Sequence, residues 1–409
     1  MSTLADAVLP LIRTRAELWR WGAANAHGRQ MHEAVDILER AAATEEPGTV
    51  LTVTQKTITS AVAVIAKADD SSGIIGDACR RLLALHPVAA GRARMPAGKL
   101  VAWMIDFQFH GKVDYFELDP VAYAPALGEK GLALYRARLD EIRSGLGPAT
   151  SKAERWESAH SHEWFVLEWN AQRLAVLDRD VEAIIATHAR DRRVAAWLHD
   201  TAKALAEADY PDLAIEWAKL ATDFDNGHQA RAAGDYWCEL LATHRPGDVL
   251  PARSSMFVRW PSSGTAAKLH DAAGPAWPEL QLDVLARLGD SPRDAVLFAL
   301  LTLRDGEQAW ILAHNLGLGD ADTWTRLVKE YQKHDPLAVL PVLAELVTGD
   351  LVQADARNYQ SAAHRLRTMR QLAAGTSKTS EVDELIAALR EDHRRRPRLQ
   401  QEFDRAGLP

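Results

Sequence analysis

The chain has 409 residues, 47% of them apolar and 25% charged, a globular composition that excludes wholesale disorder. A formal charge of −8 argues against a coat on nucleic acid, and the two cysteines, Cys79 and Cys238, lie too far apart for a disulfide framework or a cysteine-rich zinc site. No run approaches the ~20 apolar residues that span a bilayer. The start, Met1-Ser2-Thr3-Leu4-Ala5-Asp6, lacks a basic region followed by an apolar core, so the expectation is a cytoplasmic protein with no membrane partner.

Helical period dominates from the first residues onward. Segments at about 2–24, 28–44, 50–68, 73–86, 98–110, 129–145, 152–177 and 178–190 read as helices. In 193–208, Val194, Trp197, Leu198, Thr201, Ala202 and Leu205 recur along one helical face. Tyr210-Pro211-Asp212 breaks that face, and Pro211 suits the first turn of the next helix. Over 211–224, Leu213, Trp217, Leu220 and Phe224 form a second stripe, which Asn226-Gly227 stops. The pair is a helical hairpin of roughly 34 residues, the size of a tetratricopeptide unit. Further helices are expected at about 228–244, 276–288, 292–304, 306–316, 320–333, 336–348, 352–373, 379–395 and 398–406. Strand signals are few. Leu51-Thr52-Val53-Thr54 alternates briefly and Ser255–Trp260 is a candidate extended stretch, but neither has a hairpin partner.

Short breaks between helices predict an all-α chain built from irregular helical hairpins. Trp324, Leu327 and Tyr331 have the spacing of a tetratricopeptide first helix, and Trp197, Trp237 and Trp277 stand forty residues apart, with Trp217 midway between the first two. Pro87–Gly98 and His110–Pro120 are irregular breakpoints, and Gly145–Ser151 is the best linker. The expected organisation is an N-terminal helical bundle over 1–148 and a tetratricopeptide-like α-solenoid over 149–409.

Three segments carry a family resemblance. Val113-Asp114-Tyr115-Phe116-Glu117-Leu118-Asp119-Pro120 and its continuation to Arg136 resemble a stretch of bacterial, chiefly actinobacterial, SWIM zinc-finger family proteins. In those proteins the stretch precedes a tetratricopeptide-like helical region. Leu205–Ala218 looks like the repeat core of that region, and Leu389–Leu408 is similar to its close. The resemblance covers roughly 100–409. A SWIM finger holds zinc with Cys-x-Cys and Cys-x-His, whereas Cys79 is followed by Arg80-Arg81 and Cys238 by Glu239-Leu240. The resemblance therefore implies the helical part without its finger, and no zinc or nucleic-acid role follows from it.

Motifs for chemistry are sparse. His160-Ser161-His162-Glu163 is the densest histidine cluster, but residues two apart on a helix point roughly 200° apart and cannot share a metal. Glu157-x-x-His160 has di-iron carboxylate spacing without the second copy that such a site needs. His27 and His32 lack the spacing of a zinc protease. Asp106 and His110 sit at i, i+4 and can pair. Gly317-x-Gly319 has neither a third glycine nor a lysine, so it reads as a helix end rather than a phosphate loop. The basic run His393-Arg394-Arg395-Arg396-Pro397-Arg398 fits a helix C-terminus better than a phosphate contact.

Most of the thirteen tryptophans are expected to pack between helices, with Trp21 and Trp260 as exceptions. The expected function is a non-enzymatic scaffold for a protein or peptide partner, with no cofactor and no metal. The alternatives are an enzyme assembled from distant residues around Asp106, His110 or His160, and a nucleic-acid binder using 393–398. In a solenoid of helical pairs, first helices line the concave face, so partner contact is expected at Lys203, Glu207, Arg231, Asp235, Arg326 and Glu330.

Overall fold

The computed structural model describes residues 3–111, 113–147 and 158–409. Among these the architecture is all-α, and extended pairing is limited to an isolated parallel bridge between Leu18 and Ala68. The expected boundary at 148 lies outside the described residues. Tertiary contacts group the chain into two compact units that divide between Asp225 and Asn226.

The first unit runs through α1 (Leu4–Ile12), α2 (Trp21–Thr44), α3 (Pro47–Ile65), α4 (Ile74–Arg92), α5 (Ala97–Phe109) and α6 (Pro120–Gly145). It continues with α7 (Ser161–Leu177), α8 (Val181–His188), α9 (Ala195–Glu207) and α10 (Pro211–Asp223). Local chemistry sets many helix starts. Thr3 and Asp6 form a reciprocal capping box on α1, and the Glu46 carboxylate caps α3 by accepting from the N–H groups of Gly48 and Thr49 at 2.8 and 2.6 Å. A contiguous apolar cluster from Val8 to Leu174 fills this unit as far as α7.

Two segments differ from expectation, and one ambiguity is resolved. The stretch Leu51–Thr54, expected within a helix at about 50–68 despite its brief alternation, lies inside α3, where Val50, Leu51, Val53, Thr54, Thr57, Ile58 and Ala61 make one broad buried helical face. Pro87 does not end α4. Burial of Leu82, Leu83, His86, Ala89 and Ala90 carries the helix through the missing N–H to Arg92. α6 begins at Pro120, where the Asp119 carboxylate accepts from the Val121 N–H at 3.0 Å, and is interrupted at Gly128 (φ 60°, ψ 179°). That conformation is open in practice to glycine alone.

The hairpin read over 193–224 is present as α9 and α10. Ala202, Ala214, Ala218 and Ala221 are buried, which lets the two backbones approach closely. Its turn clasps the turn between α7 and α8. Arg179 donates to the Ala208 carbonyl at 3.0 Å and to Asp209 at 2.8 Å, while the Tyr210 hydroxyl donates to the Arg179 carbonyl at 3.0 Å.

The second unit holds α11 (His228–His244), α12 (Val249–Arg259), α13 (Ser263–Ala273), α14 (Trp277–Leu288) and α15 (Pro292–Leu297). A π turn over Phe298–Thr302 follows. The unit closes with α16 (Gly306–Asn315), α17 (Ala321–Tyr331), α18 (Leu340–Val352), α19 (Ala356–Ala373), α20 (Thr379–Asp392) and α21 (Pro397–Arg405). The candidate extended stretch at 255–260 is the end of α12, since Ala252, Met256 and Phe257 bury at helical spacing. The interior is divided into clusters that succeed one another in chain order: Phe257–Phe298, Val296–Leu327 and Val328–Leu408.

The forty-residue tryptophan spacing does not mark equivalent positions. Trp197 lies in the first turn of α9, Trp237 in the second half of α11, and Trp277 opens α14.

Candidate functional site

The six residues expected to meet a partner divide by how their charge is used. Glu207 is held from within. The Arg173 guanidinium, with its side chain only 12% exposed, donates to both Glu207 oxygens at 2.6 and 2.7 Å and to both Asp119 oxygens at 2.8 and 2.9 Å. This doubly bidentate arrangement ties α7 to the start of α6 and the end of α9. Burial opposes the charge on Arg173, but Glu207 and Asp119 outweigh it and hold the proton more firmly. Asp235 is likewise engaged, accepting from Arg253 at 2.9 Å and Lys268 at 2.6 Å. Burial pushes its carboxyl up, yet those two cations bring it below the usual carboxylate range.

The other four stand outward. Lys203 is 4.0 Å from Asp200, and Glu330 bonds Lys333 at 2.5 Å. Arg231 and Arg326 are exposed, with no ion pair among the described residues. Lys203 and Glu207 belong to the first unit and the remaining four to the second. Sequence reasoning could not find Arg173, because it lies 34 residues from Glu207 and 54 from Asp119, outside any helical spacing.

Asp106 and His110 do pair, with Nδ1 3.7 Å from the carboxylate, and both are exposed. They edge a hollow of about 200 Å³ floored by Ile58, Val62, Trp103 and Phe107. The Thr59 hydroxyl in its lining donates to the Gln55 carbonyl at 3.0 Å, so its proton is already committed along the helix. Behind Trp103, stacked on it at 3.8 Å, lies the fully buried His86. Gln55 donates to His86 Nε2 at 3.1 Å, which places the ring proton on Nδ1, where it is donated to the Tyr123 hydroxyl at 2.9 Å. Burial lowers the His86 pKa to about 4, so the ring is neutral.

His160 and His162 part company, as their spacing requires. His160 bonds Glu163 at 3.2 Å, and His162 Nε2 donates to the Gln108 carbonyl at 2.7 Å. Glu157 lies outside the described residues. The Gln108 side chain belongs to a closed buried triangle. Gln108 donates to the Tyr135 hydroxyl at 2.7 Å, Tyr135 to Asn170 at 2.7 Å, and Asn170 back to Gln108 at 3.1 Å. Each member satisfies the next, so α5, α6 and α7 are locked in register. Among the described residues, no group of three or more His, Cys, Asp or Glu is placed to hold a metal ion. Burial pushes the thiols of Cys79 and Cys238 up to about 12 and about 11, away from the reactive thiolate.

Part of the C-terminal basic run is used inside the second unit. Arg396 donates to the Leu351 carbonyl at 2.8 Å, Arg394 pairs with Glu391, and Pro397 opens α21.

Trp217 and Trp277 are buried. Trp310 stacks on Tyr331 at 4.2 Å and meets Trp324 edge-on at 5.7 Å, so the tetratricopeptide-like spacing on α17 serves packing against the preceding helix α16. Trp260 is half-buried, donating to the Asn226 carbonyl at 3.1 Å with Arg259 over its ring. Trp21 and its neighbour Trp19 are 62% and 68% exposed. Trp156 lies outside the described residues.

No helix among the described residues is long and apolar enough to cross a membrane. No family model, curated protein or solved structure matches the chain.

Proposed function

We propose that the chain is a non-enzymatic scaffold whose helical hairpins present an outward polar face to a protein or peptide partner. The observation that carries this reading is the contrast in charge use along α9, α11 and α17. Glu207 and Asp235 are consumed by internal networks, whereas Arg231 and Arg326 stand exposed with no ion pair among the described residues. Such guanidinium groups are ready for carboxylates or carbonyls on another molecule. The succession of small apolar clusters in the second unit supports a tetratricopeptide-like solenoid, in which each helical pair rests on its neighbours and long faces stay open. In this reading the chain corresponds to the helical region of SWIM zinc-finger family proteins without the finger, acting in the cytoplasm.

Affinity purification from the native host, followed by mass spectrometry, tests it. Wild type is compared with an Arg231→Glu/Arg326→Glu double mutant of unchanged Tm. A partner held by wild type and lost from the double mutant is the expected result. Equal retention by both proteins would move the binding surface elsewhere.

A further inference from the structure

The link between α1 and α2 carries a surface that the helical-hairpin reading does not use. Leu18 turns inward to bridge Ala68, and on either side of it the chain is exposed: Arg13, Arg15, Trp19, Arg20 and Trp21 all face solvent. Lys67, just past the end of α3, is exposed and lines the same hollow as Arg13. None of Arg13, Arg15, Arg20 or Lys67 has a carboxylate partner among the described residues, whereas Arg81, Arg173, Arg253, Arg365 and Arg390 are all paired. Against these four cations the link itself supplies only Glu17. The nearby Asp69 and Asp70 turn their carboxylates to the backbone N–H groups of Ser71, Ile75 and Gly76. A chain of net charge −8 thus keeps an unneutralised basic patch, and the two most exposed of its described tryptophans adjoin it.

The patch is also concave. A hollow of about 250 Å³ is lined by Arg13, Thr14, Ser60 and Lys67, over a floor that includes Leu18 and Val64. The Arg13 Nε donates to the Ser60 hydroxyl at 3.3 Å, which orients the guanidinium and leaves its outer nitrogens for a ligand. A carboxylate entering there would meet a guanidinium, an ammonium and hydroxyl groups. An apolar side chain next to it would lie on Trp19 or Trp21, rings of the kind that dominate binding hot spots.

We propose that this surface docks an acidic peptide segment in which carboxylates alternate with aromatic or aliphatic residues. The charge complementarity is local, and this favours a peptide over the other anionic partners. A nucleic-acid strand needs cations along an extended track, and a bilayer needs several inserted apolar side chains. Here the cations are four, and Leu18 points inward. The proposal rests on the scaffold reading and names a second surface for it.

The test is fluorescence anisotropy with a labelled peptide of alternating Glu and Phe, its Gln-for-Glu counterpart, an oligothymidine, and vesicles containing phosphatidylserine. Wild type, Arg13→Glu/Lys67→Glu and Trp19→Ser/Trp21→Ser are compared at equal helicity and Tm. If charge reversal unfolds the chain, Arg13→Gln/Lys67→Gln replaces it. The expected result is saturable binding of the acidic peptide alone, weakened by added salt and by about tenfold in each double variant. Equal peptide affinity in all three proteins overturns the proposal, as does tighter binding of the oligothymidine or the vesicles. Arg231→Glu/Arg326→Glu, titrated alongside, should bind the peptide as wild type does. If it does not, this site falls while the scaffold reading stands. If that double mutant instead keeps the host partner, the hairpin-face reading falls and the peptide site is untouched.

Discussion

At the scale of single residues, the chain spends most of its strongly shifted groups on structure. His86 is the clearest case. It is fully buried, bonded at both ring nitrogens and neutral, with a pKa lowered to about 4 by burial. An unfolded histidine titrates near ~6.5. Between those values the unfolded chain binds a proton that the folded chain refuses, so unfolding free energy falls as pH drops from about 6.5 toward 4. The full effect is up to about 3 kcal/mol. His188 and His199 are lowered too, chiefly by burial, and add to the same slope. Urea titrations across this window should therefore show stability rising with pH, with a shallower slope in His86→Gln. An unchanged slope in that variant would mean that His86 is not held neutral. None of this was legible from sequence, because a lone histidine on α4 gives no sign of the glutamine, tyrosine and tryptophan that enclose it from three other helices.

At the scale of elements, helix existence was readable and helix continuity was not. The face of α9 followed from its apolar spacing, and the Pro211 start of α10 from the fixed φ of proline. Pro87 shows why. Local propensity costs a few kcal/mol at most, and burial of a continuous face on either side of a break can exceed it. Gly128 nevertheless carries a conformational requirement of its own. A Cβ added there meets no atom within 4 Å, so a penalty for Gly128→Ala comes from the backbone alone. The expected destabilisation is about 1–3 kcal/mol, with the all-helical spectrum retained. A thermal melt by circular dichroism checks it. A Tm equal to wild type would show that α6 passes this point without needing the left-handed turn. Gly28 differs in kind, because a Cβ there would lie 2.5 Å from Ile74, where α2 and α4 approach closely.

At the scale of the whole molecule, the interior is gathered into clusters of different extent. In the first unit one cluster reaches from α1 to α7 while α8 to α10 bury residues outside it, such as Ile184, Leu198 and Trp217, and over α12 to α21 the second unit is divided into a series. A serial interior makes stability local, because each cluster rests mainly on its neighbours in sequence. Phe298 is fully buried at the π turn, edge-on to Trp277 at 5.6 Å. Phe298→Ala should cost about 3–5 kcal/mol where it acts. Hydrogen exchange should show protection lost over α12 to α16 and largely kept over α18 to α21. Uniform loss across the second unit would mean that its clusters unfold as one body.

What the sequence determined by itself was the class of the fold and the place of most helices. Both follow from the period of apolar residues and from caps, prolines and glycines, which act over a few residues. Tertiary structure alone decided which charges are free. Glu207 and Lys203 sit four residues apart on α9 and look alike as exposed helix positions, yet Glu207 is gripped by Arg173 from another helix and Lys203 is not. The same holds around the link before α2, where four cations and two indoles stand exposed and none of the four cations has an ion pair among the described residues. Ion pairing and exposure are set by groups distant in sequence that folding brings within a few ångströms. The local pattern that specifies a helix carries no information about them.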